Sequence, residues 1–557
     1  MSLLTDPVLA IFLSVALGHL VGLARIGPIS IGGICGTLFV ALVLGQLGIS
    51  ISADLKDTAF ALFIFALGFT AGPQFFANIR SGWRFGLFSV IEVCVALGLT
   101  MAAAALFALD VGTVAGLFSG SATESAVVGT ASEAISHLRL SEAEIKVLQS
   151  NVATAYSLTY LFGLVGIVVF TTQIAPMWMK INLRAEAHKL AKELGASEDG
   201  GDNGSFPVFV ERAFKVGSGA GKTAAEFEKA LDWKITVAAV RRDGELIDVP
   251  MNLRLREGDV VFVRGCRDGM IKAAESFGDE VSLPNGATLE VTSEEVVLSR
   301  PDALGTSLRK LGEIAPPELR RRIFITDIQR MGQKIPSLPK TVLQQGDILT
   351  LYGPKADVAK AVGELGRKMP PADKTDFVML GVGIIVGLLI GHISIKLGHM
   401  DLTLGKGGGA LVSGLIFGWI NMRLPSVGAL PGPAANMAKD LGLAVFIAAI
   451  GLQAGPDALA QLKEHGLLLP ILGVLISVVP ATVSLLVGWK LMKMPAPILL
   501  GAIAGQHCST PTITALVSQS GNSIPVIGYT VTYAISNVIL PLMGPVIVGL
   551  AAAAGAS

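Results

Sequence analysis

The charged residues of this 557-residue chain are concentrated in its middle third, and this distribution restricts the fold more than any other feature. Residues 183–373 contain 57 of the 86 Asp, Glu, Lys and Arg residues, about 30% of that segment, whereas the flanking segments are only about 8% charged. A soluble globular protein is usually about 25% charged. The pattern therefore predicts a soluble domain inserted between two membrane-embedded halves, residues 1–182 and 374–557.

Ten apolar segments are long enough to predict membrane-spanning helices, five in each half. A helix needs about 20 mostly apolar residues to cross a bilayer. The predicted spans are residues 7–25, 30–48, 58–75, 86–108 and 150–178, followed by 376–396, 405–421, 438–453, 467–489 and 523–552. The first segment has no basic region or small-residue cleavage site, so we expect a retained span rather than a signal peptide.

Each half also contains a shorter apolar segment that polar residues interrupt, at 113–133 and 496–518. Their central sequences are GLFSGSATESAVVG (116–129) and GAIAGQHCSTPTIT (501–514). We expect each to form a re-entrant hairpin of two half-helices. The predicted fold class is a polytopic α-helical membrane protein, an inverted repeat of five spans plus one re-entrant hairpin per half, with an α+β soluble insert of two tandem modules.

Basic residues predict the orientation, because cytoplasmic loops are enriched in Lys and Arg. Arg25, Lys180 and Lys374 fall on one side of the membrane only if each half has five crossings and a hairpin that returns to its own side. We therefore expect a bacterial inner-membrane protein with periplasmic termini and a cytoplasmic segment 183–373. The alternative, six full crossings per half, would place Lys180 and Lys374 on the side opposite to Arg25.

The two halves contain similar short motifs, which indicates an internal repeat. The matching pairs are FALGFTAGP (65–73) with AAIGLQAGP (448–456), Gly116 and Gly120 with Gly501 and Gly505, and Thr154 and Gly166 with Thr532 and Gly544. Because the number of crossings is odd, the second copy would insert upside down. This is the plan of many secondary transporters, whose substrate sites lie at broken helices near the membrane midplane.

The charged middle segment is interpreted as a linker followed by two similar modules. Residues 183–206 predict a helical linker, and the modules extend over 207–283 and 287–369, each with alternating apolar strands and short helices. The dipeptide Gly258-Asp259 in the first module matches Gly346-Asp347 in the second. The match indicates one fold used twice.

Several functional classes are excluded by the sequence. Neither module has a GxGxxG after a strand or a complete GxxxxGK[ST] loop, and GSGAGKT (217–223) lacks the required spacing, so we expect no nucleotide cofactor. The four cysteines lie far apart, which predicts neither a disulfide framework nor a metal site. The net charge of zero provides no basic surface for nucleic acid. No nucleophile–base pair indicates an enzyme, and no TVGYG-like filter indicates a channel.

In arrangement and motifs the chain resembles the aspartate:alanine exchanger family of bacterial secondary transporters. The resemblance covers nearly the whole chain and rests on the AGP repeats, the GQHCSTPT hairpin (505–512) and the paired Gly-Asp modules. It implies electrogenic exchange of L-aspartate for L-alanine, and insert modules similar to the TrkA-C domains of potassium-channel regulators. The family's Thr/Ser-Pro signature is kept at Ser509-Thr510-Pro511, whereas the first hairpin has Ala122–Ala126 without proline.

The second hairpin contains the clearest candidate site for an anionic substrate. Helix N-termini bind anions through unpaired N–H groups and the helix dipole. Pro511 suits the first position of a half-helix over 511–518, with Ser509 or Thr510 as its N-cap. Further polar candidates are Gln506, His507, Cys508 and Thr512. His507 either binds a carboxylate or is a hydrogen-bonded packing residue.

The first hairpin is expected to mirror the second. Ser121 and Glu124 have capping-box spacing, which predicts a half-helix from about residue 123 that includes Thr123 and Ser125. Glu124 could cap this helix, carry a proton or cation, or pair with a substrate ammonium group. The alternative for both hairpins is that their polar residues only satisfy the local backbone, although polar residues at membrane depth are costly and usually functional.

Polar residues on neighbouring spans are weaker candidates. Gln453 follows the repeated glycine and, like Thr70, fits an unwound helix end beside the hairpins. Tyr156 and Asn537 place polar atoms on the last span of each half, where bonds between helices are the alternative role. Glu92 is an ionisable residue inside a span and is a candidate on that ground alone.

These features predict a secondary transporter that exchanges small amino acids or carboxylates by alternating access, with the hairpins moving against the rest. The alternative is a proton- or sodium-coupled symporter of dicarboxylates or amino acids that the insert regulates. We expect a homodimer in the lipid bilayer, no cofactor, and a regulatory small ligand on the insert.

Overall fold

The structure is a computed structural model that describes most of residues 6–555. The stretches within this range that lie outside the description are residues 27–28, 31, 50, 82, 197–208, 218–219, 232–234, 248, 250–252, 283–290, 317–318, 320–322, 369–374, 398–399 and 424–429. The chain divides into two compact units. They are the membrane unit (Met1–Leu190, Met331–Gln333 and Pro370–Ser557) and the insert unit (Ala191–Arg330 and Lys334–Met369).

The first half of the membrane unit is helical apart from one short β-hairpin. Its elements are α1 (Pro7–Gly22), β1 (Arg25–Ile26), β2 (Ile29–Ser30), α2 (Gly33–Gly45), α3 (Ala53–Ser81), α4 (Trp83–Phe107), α5 (Val111–Ser121), α6 (Ser125–Ser136) and α7 (Glu142–Val169). A π-helical turn at Phe170–Ile174 and helix α8 (Ala175–Met179) continue α7. Helix α9 (Leu183–Glu193) lies in the predicted linker, of which residues 197–206 lie outside the described residues.

The insert unit contains two antiparallel five-stranded sheets. Its strands are β3 (Phe209–Lys215), β4 (Ile235–Arg242), β5 (Glu245–Ile247), β6 (Val260–Cys266), β7 (Glu280–Val281), β8 (Val291–Leu298), β9 (Phe324–Arg330), β10 (Gln333–Lys334), β11 (Ile348–Pro354) and β12 (Gly366–Lys368). Its helices are α10 (Ala224–Ala230), α11 (Arg267–Phe277), α12 (Leu308–Ile314) and α13 (Lys355–Leu365), with a 3-10 turn at Pro301–Ala303. The strand orders, β5-β4-β6-β3-β7 and β10-β9-β11-β8-β12, are the same order used twice.

The second half of the membrane unit repeats the element order of the first. It consists of α14 (Phe377–Gly391), β13 (Ser394–Leu397), β14 (Met400–Thr403), α15 (Gly405–Arg423), α16 (Gly432–His465), α17 (Leu468–Leu486), a π-helical turn (Val487–Leu491), α18 (Ala496–Gln506), α19 (Thr510–Ser520) and α20 (Ile524–Ala553). Helix α3 packs on α15, and its counterpart α16 packs on α2. In each half, the helix that contains the AGP motif therefore packs on the second helix of the other half.

Six helices in the described residues are long and apolar enough to cross a membrane, within α3, α4, α7–α8, α16, α17–Leu491 and α20. The predicted fold class, a polytopic helical membrane protein with an α/β insert, is confirmed. Three spans are shorter than predicted: α1 has 16 residues, α2 has 13 and α14, the first span of the second half, has 15. Sixteen helical residues extend only about 24 Å, less than the roughly 30 Å hydrocarbon core. A β-hairpin replaces the missing helical turns after α1 and after α14.

The AGP motifs do not form turns, which corrects the prediction of unwound helix ends at Thr70 and Gln453. Pro73 lies inside the continuous helix α3 and Pro456 inside α16. Proline is tolerated in membrane helices because neighbouring groups satisfy the freed carbonyls. The repeated glycines Gly68 and Gly451 instead allow close helix crossings, since added Cβ atoms would lie 2.4 Å from the Leu411 carbonyl oxygen and 2.6 Å from the Ala41 Cβ.

The predicted repeat register of the last spans was wrong by five residues. A Cβ on Gly120 would lie 1.9 Å from the Thr159 hydroxyl, and one on Gly505 would lie 2.2 Å from the Thr532 hydroxyl. Thr532 is therefore the counterpart of Thr159, not of Thr154. Threonine and glycine are common in membrane helices, so single matches between two such residues do not define a register.

Each insert module contains one bidentate Arg–Asp ion pair with a buried aspartate, called a clasp below, and this clasp explains the repeated aspartate of the Gly-Asp dipeptide. The Arg242 guanidinium donates two hydrogen bonds to Asp259 (2.9 and 2.7 Å), and Arg330 donates two to Asp347 (both 2.7 Å). Burial opposes ionisation of Asp259, but the bonds from Arg242 and from the Arg256 N–H outweigh it and lower the pKa of this carboxyl. The first clasp therefore stays ionised at neutral pH and is lost only as the pH falls below the usual aspartate range, about 4.

Breaking the second clasp is expected to destabilise the insert unit strongly. Asp347→Asn would leave the Arg330 guanidinium, 3% exposed, without its counter-charge, which costs about 3–5 kcal/mol. Glu280→Gln is the matched control, because its pair with Arg212 is about half exposed and should contribute less than about 1 kcal/mol. Limited proteolysis of the full-length protein during heating measures the difference. Equal unfolding temperatures for the two variants would contradict the expectation.

Candidate substrate site at the two hairpin tips

The two hairpins, α5–α6 and α18–α19, have tips of the same backbone geometry. In each, two N–H groups past the end of the first helix donate back to carbonyls of its last turn. The bonds are Thr123 to Gly120 (3.0 Å), Glu124 to Ser119 (3.0 Å), Cys508 to Gly505 (3.0 Å) and Ser509 to Ala504 (3.2 Å). This pair of bonds is the Schellman motif, which ends a helix and reverses the chain. The predicted breaks in both short segments are therefore present at equivalent positions.

Both tips contain a residue in a strained backbone conformation. Thr123 and Cys508 have φ angles of 54° and 49°, in the left-handed region that the Schellman motif normally fills with glycine. A residue with a Cβ pays roughly 1–2 kcal/mol there. Strained residues of this kind cluster at functional sites, where the surrounding structure holds them in place.

The second helix of each hairpin begins immediately after the tip with a side-chain N-cap. Glu124 accepts a bond from the Ala126 N–H (3.0 Å), and Ser509 accepts one from the Thr512 N–H (3.3 Å). Thr512 also bonds the Ser509 hydroxyl through its own hydroxyl (2.6 Å). Ser509 is thus the cap, and α19 begins at Thr510 rather than at Pro511.

The predicted capping box of the first hairpin is wrong. Ser121 belongs to the end of α5, where its hydroxyl donates to the Leu117 carbonyl (2.6 Å), and α6 begins at Ser125 with Glu124 itself as the cap. The Schellman turn places two residues between the helices, so the capping position moves to Glu124. The Glu124 carboxylate, which the capping-box prediction placed at the third helical position, therefore lies at the N-cap of α6.

The two tips touch each other across the two halves. The Thr123 hydroxyl donates to the His507 backbone carbonyl, and the Cys508 thiol is hydrogen-bonded to the Glu124 carboxylate. Thr123, Glu124 and His507 are all buried. The N-termini of α6 and α19 therefore meet at one buried polar locus.

A tyrosine from the last helix of each half lies against each hairpin. The Tyr156 hydroxyl lies 2.7 Å from that of Ser125, and the Tyr529 hydroxyl lies 3.5 Å from that of Thr510. Tyr156 was predicted as a site residue, whereas Tyr529 was missed. The signal was present in the sequence, because Tyr-x3-Tyr occurs in both last helices and would have aligned them correctly.

Helix α4 packs against the tip of the second hairpin. Gln506 donates to the Phe88 carbonyl (2.8 Å), which leaves its buried amide oxygen without a hydrogen-bond partner among the described residues. The His507 Nε2 atom lies 3.6 Å from the Glu92 Oε1 atom. Glu92, which the sequence marked only as an ionisable residue within a span, is therefore a direct neighbour of the tips.

Two predicted site residues do not lie at the tips by any described contact. The Gln453 side chain is exposed and donates to the Ile51 carbonyl (3.2 Å), in the connection before α3. The buried Asn537 amide donates to the Tyr533 carbonyl (2.8 Å) of its own helix. Gln453 was placed near the tips because α16 was expected to unwind at the AGP motif, and the continuous helix removes that reason.

The candidate site residues lie in the part of the chain that matches a known family. The Asp-Al_Ex model, described as a predicted permease membrane region, matches residues 10–176 and 379–549. The model of the TrkA-C domain matches residues 209–278 in the insert unit. No solved structure gives a significant match to the chain.

Full-length relatives are similar over almost the whole chain. An uncharacterized transporter of Zymomonas mobilis is 36% identical over 549 residues, which cover 98% of this chain and 97% of the relative. Uncharacterized transporters of Bordetella parapertussis and Francisella tularensis are each 36% identical over 560 residues, with coverage of at least 97% on both sides. The similarity therefore includes both membrane halves, both hairpins and the insert.

Proposed function

Because the chain belongs to the aspartate–alanine exchanger family of membrane transporters, we propose that it exchanges small amino acids or carboxylates, with L-aspartate and L-alanine as the first pair to test. The observation that supports this proposal is the meeting of two capped helix N-termini at one buried polar locus. Broken half-helices that point their N-termini at a substrate are the usual site of secondary transporters.

The α19 N-terminus is the proposed site for a substrate carboxylate. Its cap, Ser509, is neutral, so the helix dipole is not already compensated by a side-chain charge at this tip. Pro511 in the first turn has no N–H group, which leaves the Thr510 N–H as the first donor available there. The hydroxyls of Thr510 and Tyr529 add donors beside it.

The Glu124 carboxylate at the opposite tip is the proposed partner of the substrate ammonium group. It is buried, and its described bonds use the Ala126 N–H and the Cys508 thiol. Both bonds leave room at the carboxylate for a charge-assisted bond, since two carboxylate oxygens offer about four lone-pair sites. An amino acid would then bridge the tips, with its ammonium at α6 and its carboxylate at α19.

In this mechanism the two hairpins move together against the other helices, and the substrate is exposed to each side in turn. The contact between Thr123 and His507 supports joint movement, because it links the tips directly. Obligatory exchange requires that the hairpins move readily between the two sides when substrate is bound and only poorly when the site is empty. We further propose cytoplasmic placement of the insert, a homodimer, and control of transport by a small ligand on the TrkA-C-like modules.

Counterflow in proteoliposomes tests the proposed exchange. Vesicles loaded with unlabelled aspartate or alanine should take up labelled aspartate, whereas vesicles without internal substrate should take up almost none. Protein-free vesicles are the control for leakage. Uptake driven by an imposed proton or sodium gradient with no internal substrate would instead support the symporter and overturn the exchange proposal.

A further inference from the structure

Glu92 and His507 form a buried acid–base pair next to the hairpin tips. Their side chains are 2% and 1% exposed, and the nearest atoms, Oε1 and Nε2, are 3.6 Å apart. The other carboxylate oxygen of Glu92 has no hydrogen-bond partner among the described residues. The His507 ring also lies near the Ser121 carbonyl, but neither ring nitrogen reaches full hydrogen-bond geometry there. This is an incompletely satisfied polar pair at membrane depth.

The number of protons on the pair must depend on whether it is buried. In water, a glutamate and a histidine with ordinary pKa values of about 4.3 and 6.5 together carry one negative charge above about pH 6.5. In the buried arrangement an uncompensated negative charge is costly, whereas a pair with one proton is neutral overall. Burial of the pair therefore favours uptake of one proton from the side to which the site was open.

The other ionisable groups around the pair are of different chemical types. Cys508 and Glu124 lie at the tips, and Lys439 on α16 interacts electrostatically with Glu124. Arg84 and Cys94 lie on α4 itself, Tyr156 and Tyr160 on α7, and Tyr529 and Tyr533 on α20. Helices α5, α17, α18 and α19 contain no ionisable side chain. In water, a glutamate carboxyl group titrates near about pH 4.3, and thiol and phenol groups titrate above about pH 8. Among the side-chain types, the imidazole is the one whose ordinary pKa lies between about pH 5 and 8, so we expect the pair to determine the pH dependence in that range.

We propose that Glu92 and His507 form a proton site that must take up one proton each time the hairpin tips pack against α4 and occlude the substrate. The inference rests on the proposed alternating movement of the hairpins. The proton binds to the His507 imidazole while the site is open. When the site closes, the Glu92 carboxylate neutralises the positive charge of the protonated imidazole. It leaves to water when the site opens again, so exchange carries one proton with the substrate in each direction.

The pH dependence of equilibrium exchange tests the proposal. Proteoliposomes with labelled aspartate outside, unlabelled aspartate inside and the same pH on both sides should show a rate that falls up to tenfold per pH unit above about pH 6.5. Glu92→Gln removes the requirement for a proton, so its profile should be flat above that pH and should fall below it. Glu92→Asp keeps an acid and should keep the wild-type shape, as should Glu280→Gln on the insert.

The possible results distinguish failure of the proposed proton site from failure of the proposed exchange function. Wild-type exchange with a flat profile, or an unchanged fall in Glu92→Gln, would overturn the proton site and leave the exchanger intact. Absence of wild-type exchange at every pH would count against the exchanger itself. Infrared spectra then test the pair without substrate: a carboxyl band that titrates between about pH 5 and 8 in the wild type should be lost in Glu92→Gln, which keeps the imidazole but lacks the carboxyl group. A spectrum that the substitution does not change would overturn the site.

Discussion

Replacing Glu124 with serine is expected to reduce aspartate exchange by about 30-fold or more while leaving the hairpin folded. Loss of one buried charged partner costs about 2–5 kcal/mol of binding, and 1.4 kcal/mol corresponds to a factor of ten. Serine is among the best N-cap residues, and Ser509 fills the equivalent position of the second hairpin. Glu124→Ser therefore removes the carboxylate without removing the cap.

The comparison with Glu124→Ala separates the two roles of this side chain. Alanine removes both the carboxylate and the cap, so it should add a stability loss of about 1 kcal/mol to the same transport defect. Ser141→Ala is the matched control, because Ser141 caps α7 at an exposed position and its loss should affect stability alone. Initial rates and KM for labelled aspartate, with melting temperatures in detergent, measure both effects. Wild-type transport by Glu124→Ser would show that Glu124 only caps α6.

The sequence alone was sufficient to predict the parts of the fold that depend on local composition. The charge density of residues 183–373 marked the insert, and the polar interruptions at 116–129 and 501–514 marked both hairpin tips. Ser509 before Thr510-Pro511 predicted a helix start within one residue of the observed one. These signals are local, because a cap, a turn and an apolar run each depend on a few consecutive side chains.

The errors occurred where tertiary packing decides the structure. Unwound helix ends were predicted at Thr70 and Gln453, but α3 and α16 are continuous, and Gln453 bonds the Ile51 carbonyl before α3 instead of lying at the tips. The spacing of Ser121 and Glu124 fitted a capping box, yet the left-handed Thr123 shifts the helix start. No local pattern indicates that Glu92 meets His507, because they are far apart in the chain and only the packing of α4 on the second hairpin joins them.

The second large effect is expected at Gly501, where the second hairpin packs closely against α20. A Cβ added at Gly501 on α18 would lie 1.8 Å from the Pro525 carbonyl oxygen on α20. No side-chain rotation relieves a clash between a Cβ and a backbone atom, so the two helices must separate. The counterpart Gly116 on α5 has the same relation to α7, with 2.4 Å to the Val152 carbonyl oxygen.

Gly501→Ala is therefore expected to destabilise the membrane unit by about 3 kcal/mol, at the upper end of overpacking effects. Gly98→Ala is the control, since a Cβ at Gly98 on α4 would meet no atom within 4 Å and alanine favours a helix by up to about 1 kcal/mol. Melting temperatures in detergent should fall by several degrees for the first variant and stay level or rise for the second. Because α18 ends at Gln506 and positions His507, any folded Gly501→Ala protein should also exchange substrate poorly. Equal melting temperatures for the two variants would show that α18 and α20 do not pack backbone to backbone.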